Sequence, residues 1–395
     1  MMALYLGHPQ MHKDLHMTMI SGYKLKVGGF LQADILLTSS NKRMRPSQIP
    51  SFKPDAGSPA LRAHAVAGLC QKILVVNDHF AVAFAGDVRT IQAIVRLIER
   101  LVDEHPVLTG KRFSDAVLAD DTIDSAKIRI IALSVEGNEI HISNVYADCG
   151  HRNENFELWV GGAGAGHVRS HYQDYPPHAF DVLEEDIVVQ GTCMALDQFA
   201  NHLKNEFEGK YKSESIASLF GGGYEVVAFY DGRFQKISNI VYAFADAELD
   251  AEGVLQVDFP KCLIKSEYKG EDLKIRSVEL HFDEEFDEYV PVNDRTFTIA
   301  PVSRYEETMV EDDIDDLRFR GHFLCFLINY KTDKGAMTIP FIKKYENDFN
   351  FLYKAFMASV KPGFAQINYS DIFRGEVSDC VLGVMEQVEA SFNSE

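Results

Sequence analysis

The segment KILVVNDHFAVAFAGDV (72–88) ends two apolar runs on Gly86 and Asp87, directly before the helix-spaced stretch DVRTIQAIVRLIERLVDEH. A glycine in that place lets a substrate come close against the backbone. Its amide also stands at the start of a helix, where unpaired N–H groups and the helix dipole stabilise negative charge. Other candidates carry less. GGAGAGH (161–167) resembles a phosphate-cradling loop but lacks the Walker lysine and the order of a dinucleotide fingerprint, so no nucleotide cofactor is expected. His8, His12 and His16 would share one face of a helix and could hold a metal there. A short, polar, terminal leader gives no reason for such a helix to form, and no metal is expected. The acidic runs DEEFDE and EETMVEDDIDD lack the ligand order of a calcium loop and read as solvated surface.

Composition bounds what these residues can serve. With 395 residues, 46% hydrophobic and 25% charged, the chain is long enough for two globular cores. A formal net charge of −20 argues against a nucleic-acid partner, because holding phosphates needs a basic face. Six cysteines (Cys70, Cys149, Cys193, Cys262, Cys325, Cys380) lie too far apart in sequence for a zinc or redox pair and read as thiols of a reducing cytoplasm. The opening residues lack the apolar core and cleavage site of a signal peptide. No apolar run approaches the roughly 20 residues that span a bilayer, so a cytoplasmic chain with no membrane partner is expected.

The elements that must position Gly86 follow from pattern. TMISGYKL (18–25) and FLQADILLTSS (30–40) flank a VGG turn and predict a hairpin. Residues 41–64, with four prolines and no apolar period, predict a long surface loop. KILVV and HFAVAFAG predict a second strand pair, apolar enough to be buried on one or both faces. A helix then carries Ile91, Ile94, Val95, Ile98, Leu101 and Val102 on one face, with Asp87 as its cap. Strands follow at KIRIIALSV, EIHISNVY and FELWVGG, a helix at TCMALDQFANHLKNEFEG, and a strand at GGGYEVVAFYDGRF. This order predicts an α+β fold with two stacked sheets covered by helices, rather than a regular βαβ repeat. Past Ser238 the pattern becomes one of antiparallel strands, including a hairpin about TDKG, closed by helices over 345–360 and 376–392. The expected organisation is a leader (1–17), a first domain (18–240) and a C-terminal α+β domain (241–395) whose role the sequence leaves open.

The first 235 residues carry a resemblance. TMISG is similar to the opening strand of the proteasome β-subunit family and its bacterial relatives, with a threonine, Thr18, four positions before a glycine, Gly22. Asp34 follows Thr18 by 16 residues, and Gly86 follows Lys72 by 14, both spacings of that family. The resemblance covers about 17–235 and implies a four-layer αββα sandwich of the N-terminal-nucleophile (Ntn) hydrolase type. It also implies roles: Thr18 as nucleophile, Lys72 as the cation that eases its deprotonation, Asp34 as the partner of Lys72, and the Gly86 amide as oxyanion donor. Ser218, beside LFGGGYEVV, is the nearest candidate for a serine that supports the nucleophile. A second register sets Ser40 in the place of Asp34.

The chemistry behind such a set is general. A threonine hydroxyl needs a base, and the free α-amine of the same residue is one of suitable pKa. The nucleophile must therefore be the first residue, so the chain is expected to begin at Thr18 after loss of the leader. The implied activity is hydrolysis of a peptide or small amide through an acyl-enzyme, with no cofactor, and with a homo-oligomer left open. The alternative is a catalytically inactive chain of the same fold that serves as an assembly or binding module. An unrelated α+β protein with accidental matches is the third class.

Overall fold

The computed structural model describes residues 15–17, 19–40, 47–53, 65–105, 107–174, 183, 186–312, 318–332 and 335–392. It is a mixed α/β protein in which sheet outweighs helix. The chain divides into two compact units. The first comprises Met1–Gln198, Glu208–Ile237 and Ile299–Thr308, and the second Phe199–Phe207, Ser238–Thr298 and Met309–Glu395. The switch at Ile237/Ser238 lies beside the boundary expected near 240. Two further segments, 199–207 and 299–308, cross over, which a single boundary does not allow for.

The first unit contains strands β1 (Leu15–Met17), β2 (Met19–Leu25), β3 (Gly28–Asp34), β4 (Leu36–Ser39), β5 (Ala65–Leu69), β6 (Ile73–Asn77) and β7 (Phe80–Asp87). After helices α1 (Val88–Glu104) and α2 (Gly110–Ala119) come β8 (Ile128–Glu136), β9 (Glu139–Val145), β10 (Asp148–Arg152) and β11 (Phe156–Gly162). Helices α3 (Ala165–Asp174), α4 (Ile187–Gly209) and the short α5 (Glu214–Ala217) precede β12 (Tyr224–Tyr230) and β13 (Arg233–Lys236). They form two sheets, ordered β5-β4-β1-β7-β8-β9 with β6 also on β7, and β10-β11-β2-β3-β12-β13. All recorded pairings within them are antiparallel.

Near-continuous apolar strands need cover on both faces, and the cores supply it. One core joins Ile20, Leu31 and Val227 of the second sheet to Ala83, Ile131 and Leu133 of the first. Another sets Ile91, Ile94, Ile98 and Leu101 of α1 and Phe113 of α2 against Phe80, Val82 and Phe84. On the second sheet, the Tyr23 ring lies 5.7 Å from Tyr172 of α3, and its hydroxyl donates to the Gly191 carbonyl of α4 at 2.6 Å. Helix α1 leaves β7 without a loop because Asp87 caps it, accepting from the Thr90 amide at 2.9 Å and the Thr90 hydroxyl at 2.8 Å.

The proline-rich segment departs from the expected surface loop where it is described. Ile49 and Phe52 form an isolated bridge and are buried, with Phe52 edge-on to Tyr211 at 5.0 Å. Ser47 also ties residues 47–53 to β5, its amide donating to the Val66 carbonyl at 3.1 Å and its hydroxyl to the Ala67 carbonyl at 3.0 Å. The remainder of 41–64 lies outside the described residues.

The second unit contains β14 (Ile240–Leu249), β15 (Leu255–Val257), β16 (Cys262–Lys269), β17 (Asp272–Asp283), β18 (Glu288–Ile299), β19 (Met309–Glu311), β20 (Arg318–Phe319), β21 (Phe323–Thr332) and β22 (Gly335–Lys344). It ends with α6 (Asp348–Lys354), β23 (Phe356–Lys361), β24 (Phe364–Tyr369) and α7 (Asp371–Phe392). The larger sheet runs β19-β18-β17-β16-β14-β21-β22 with β15 on β14, and a small sheet runs β20-β23-β24. Strands β14 and β21 are parallel. The hairpin about TDKG closes with Thr332 opposite Gly335, its two tip residues lying outside the described set. The helix expected over 345–360 is only half a helix: α6 stops at Lys354 and β23 follows. Phe356, Ala358 and Val360 are buried while Met357 and Lys361 are exposed, a period of two that tertiary packing converts to strand.

Candidate active site

Asp34 closes β3 and Lys72 stands one residue before β6, so both arise at strand ends of different sheets. The Lys72 ammonium donates to Asp34 Oδ1, and both side chains are fully buried. Asp34 is held on every side. Its Oδ1 also accepts the Met19 amide at 2.9 Å, and its Oδ2 accepts the amides of Gly221 at 2.9 Å and Leu36 at 3.1 Å. Ser40 is exposed, and Asp34 holds the place beside the lysine. Burial pushes the Asp34 carboxyl up and the Lys72 ammonium down, and in each case the partner's charge and hydrogen bond oppose the shift.

The Gly221 amide reaches Asp34 through an unusual run. Gly221, Gly222 and Gly223 have φ of +122°, +77° and +151°, values that L side chains rarely adopt. That explains the three glycines before β12. Strand β12 then brings a second buried carboxylate, Glu225, whose Oε1 accepts the Lys72 and Ile73 amides, the latter at 2.8 Å. Lys236 pairs with Glu225 Oε2 at 3.3 Å and also donates to Gln71 Oε1. Glu225, Gln71 and Lys236 were not singled out in the sequence. The signal was a lone glutamate in the apolar run YEVVAFY.

Thr18 lies outside the described residues, but both chain neighbours are described. Met19 opens β2 and donates to Asp34. On the other side, β1 enters the first sheet between β4 and β7, with Met17 opposite both Leu37 and Gly86. Gly86 sits at φ +126° in β7, and a Cβ there would come within 2.1 Å of the Lys127 carbonyl, so the position excludes any side chain. The structure thus brings Asp34 and Lys72 together and sets the backbone on either side of Thr18 against Asp34 and Gly86.

Two other motifs meet nearby in the fold. His167, from GGAGAGH, shares a 3.3 Å hydrogen bond through Nε2 with Ser218 Oγ, its direction set by the tautomer. Its Nδ1 lies 3.9 Å from Glu214 Oε1, and its ring lies 5.0 Å from Phe220. Ser218 is three residues before Gly221, the donor to Asp34, so this pair and the ion pair share one loop. Of the three spaced histidines, His16 falls in β1 and His8 and His12 lie outside the described residues. Among the described residues no helix is long and apolar enough to cross a membrane.

No known protein-family profile matches the chain, and no characterised protein matches its sequence.

Proposed function

We propose that the chain is a threonine-nucleophile amide hydrolase of the proteasome β-subunit type, its first unit a four-layer αββα sandwich, and its active form beginning at Thr18. The observation that carries this is Asp34 Oδ1, which binds the Lys72 ammonium and the amide next to Thr18 at once. A fully buried ammonium is costly unless a counter-charge and hydrogen bonds hold it there, and perturbed buried ionisable groups of this kind cluster at functional sites. In the proposed reaction the Thr18 hydroxyl attacks the amide carbonyl while the free α-amine takes its proton. Lys72 lowers the proton affinity of the hydroxyl, and Asp34 positions Lys72. The Gly86 amide donates to the oxyanion. The amine then gives its proton to the leaving group, and water releases the acyl-enzyme. Strand β1 supports a peptide as substrate, since an extended chain at its place pairs with β4 and β7 at once.

The same strand favours the second reading for the uncut chain. With residues 15–17 in the sheet, that groove is filled, and a chain that keeps them acts as a binding or assembly module. Intact-mass measurement on protein from its native host tests the choice. A mass beginning at Thr18, shifted by a hydroxyl-directed covalent inhibitor and unshifted in Thr18→Ala, is the expected result. A chain that retains residues 1–17 and ignores the inhibitor overturns the enzyme reading.

A further inference from the structure

A cleft of about 480 Å³ opens beside Gly86. Gly161 and Gly162 line it too, and they stand opposite Ile20 and Met19 in the β11–β2 pairing, while Gly86 stands opposite Met17. The cleft's glycines therefore stand opposite the described residues on either side of position 18, Gly86 opposite Met17 and Gly162 opposite Met19. The cleft is open with β1 already seated between β4 and β7, so it is not the groove that β1 fills. What it can receive is the part of a substrate that continues past the residue opposite Gly86, the leaving-group side of the amide.

Its wall carries the charged groups Lys127, Arg129 and Asp148. Lys127 is engaged, its ammonium 2.9 Å from Asp124, and Asp148 is faced by Arg169 at 3.8 Å. Asp87, next to Gly86, is occupied as the cap of α1. Arg129 differs. Its Nη1 donates to the carbonyls of Ile128 at 2.7 Å and Ala126 at 3.3 Å, and its guanidinium lies 5.9 Å from the centre of the Tyr146 ring. Those contacts fix the side chain without neutralising it, and among the described residues no carboxylate lies within ion-pair distance. A guanidinium held this way is a local attractor for anions, acting against the chain's net charge of −20. Its planar fork suits a carboxylate.

We infer that this cleft is a carboxylate subsite, with Arg129 as the specificity-determining residue, selecting an acidic side chain or a free terminal carboxylate on the leaving-group side. The assignment to the leaving group rests on the hydrolase reading, whereas carboxylate binding at Arg129 does not. The test therefore has two parts. In the first, the full-length chain is titrated with fluorescently labelled tetrapeptide amides that differ only in Glu, Gln or Lys, and with neutral tetrapeptides ending in a carboxylate or an amide. At least one carboxylate probe binds about tenfold tighter than its neutral counterpart; the Glu/Gln pair reports a side chain, and the carboxylate/amide pair reports a chain end. Arg129→Gln abolishes the difference, Arg129→Lys keeps part of it, and Arg129→Glu turns preference towards the Lys probe. Equal binding of all probes, or a preference that survives Arg129→Gln with an unchanged melting temperature, overturns the inference. In the second part, the chain beginning at Thr18 is given the same peptides as substrates. Binding preference without turnover or labelling of Thr18 keeps the subsite and sinks the hydrolase reading instead, while turnover without charge preference sinks the leaving-group assignment.

Discussion

Asp34 and Lys72 illustrate how much one buried pair controls. Asp34→Asn leaves an ammonium without a counter-charge and turns an amide group towards backbone donors, so it is expected to cost about 3–5 kcal/mol. Lys72→Met keeps the stem volume and leaves Asp34 its three backbone donors, so its stability loss is expected to be clearly smaller, and the proposed mechanism predicts that it abolishes any labelling of Thr18 by a hydroxyl-directed inhibitor. Urea unfolding of both variants checks the order; the reverse order argues against an ionised pair. The pair should contribute little net pH dependence near neutrality. A carboxyl pushed up contributes stability that is lost as pH rises, and an ammonium pushed down contributes stability that is lost as pH falls. These two residues were legible in the sequence only through the family resemblance, which places Asp34 by its distance from Thr18 and Lys72 by its distance from Gly86. Glu225 and Lys236 were not, because nothing in a one-dimensional pattern marks which strand will lie beside Lys72.

At the scale of elements, the long periodic segments were readable and the short ones were not. Helix α1 was plain from six apolar positions and a cap, whereas α2 buries only Phe113 and Val117 besides its first glycine and is too short for periodicity to stand out. Strand β14 passed unassigned although it runs at the centre of the second unit's sheet, since a continuous apolar run does not reveal its own neighbours. Strand β1 could not be foreseen, because His16 and Met17 gain a place only when β4 and β7 leave a gap for them. Deuterium exchange should detect it: a chain starting at Thr18 should exchange faster at β4 and at Gly86–Asp87 than the full-length chain, and equal rates would show that β1 does not protect those edges. The second unit carries its own acid-sensitive element. Burial alone would raise the Asp246 carboxyl, but hydrogen bonds from Lys261, Lys331 and Asn329 outweigh it and hold it at about 2. A carboxyl depressed from 3.8 contributes stability that is present above pH 4 and lost as pH falls towards 2. Asp246→Asn should therefore lower stability at pH 7 and flatten the acid limb between pH 4 and 2, measured by urea unfolding followed by circular dichroism.

At the scale of the molecule, the sequence suggested two consecutive domains, and the chain instead returns to its first unit with residues 299–308. That return reaches the neighbour of Lys72. Gln71 donates through its amide to the Ala300 carbonyl at 3.2 Å and through Nε2 to the Ile299 carbonyl at 2.8 Å. The Thr308 hydroxyl both accepts the Leu69 amide and donates to the Leu69 carbonyl, each at 3.2 Å, so it caps the end of β5. Val302 is fully buried in the core that α1 shares with β7. A piece of chain sixty residues past the apparent boundary thus fixes the backbone on which the lysine stands, and the C-terminal half is part of what builds the site. A fragment ending at 240 would lack those bonds and leave the Val302 site empty, so it should fail to melt cooperatively even though it holds Asp34, Lys72 and Gly86. In the intact chain, Val302→Ala should destabilise the first unit by about 1–3 kcal/mol. Hydrogen exchange separates this from a general loss: protection should fall in α1, β5 and β7 and hold in β16, β21 and β22. A fragment 18–240 that melts as sharply as the whole chain would show that the returning segment is dispensable, the lysine then being held by Glu225, Asp34 and the Phe84 amide, which donates to the Lys72 carbonyl at 3.0 Å.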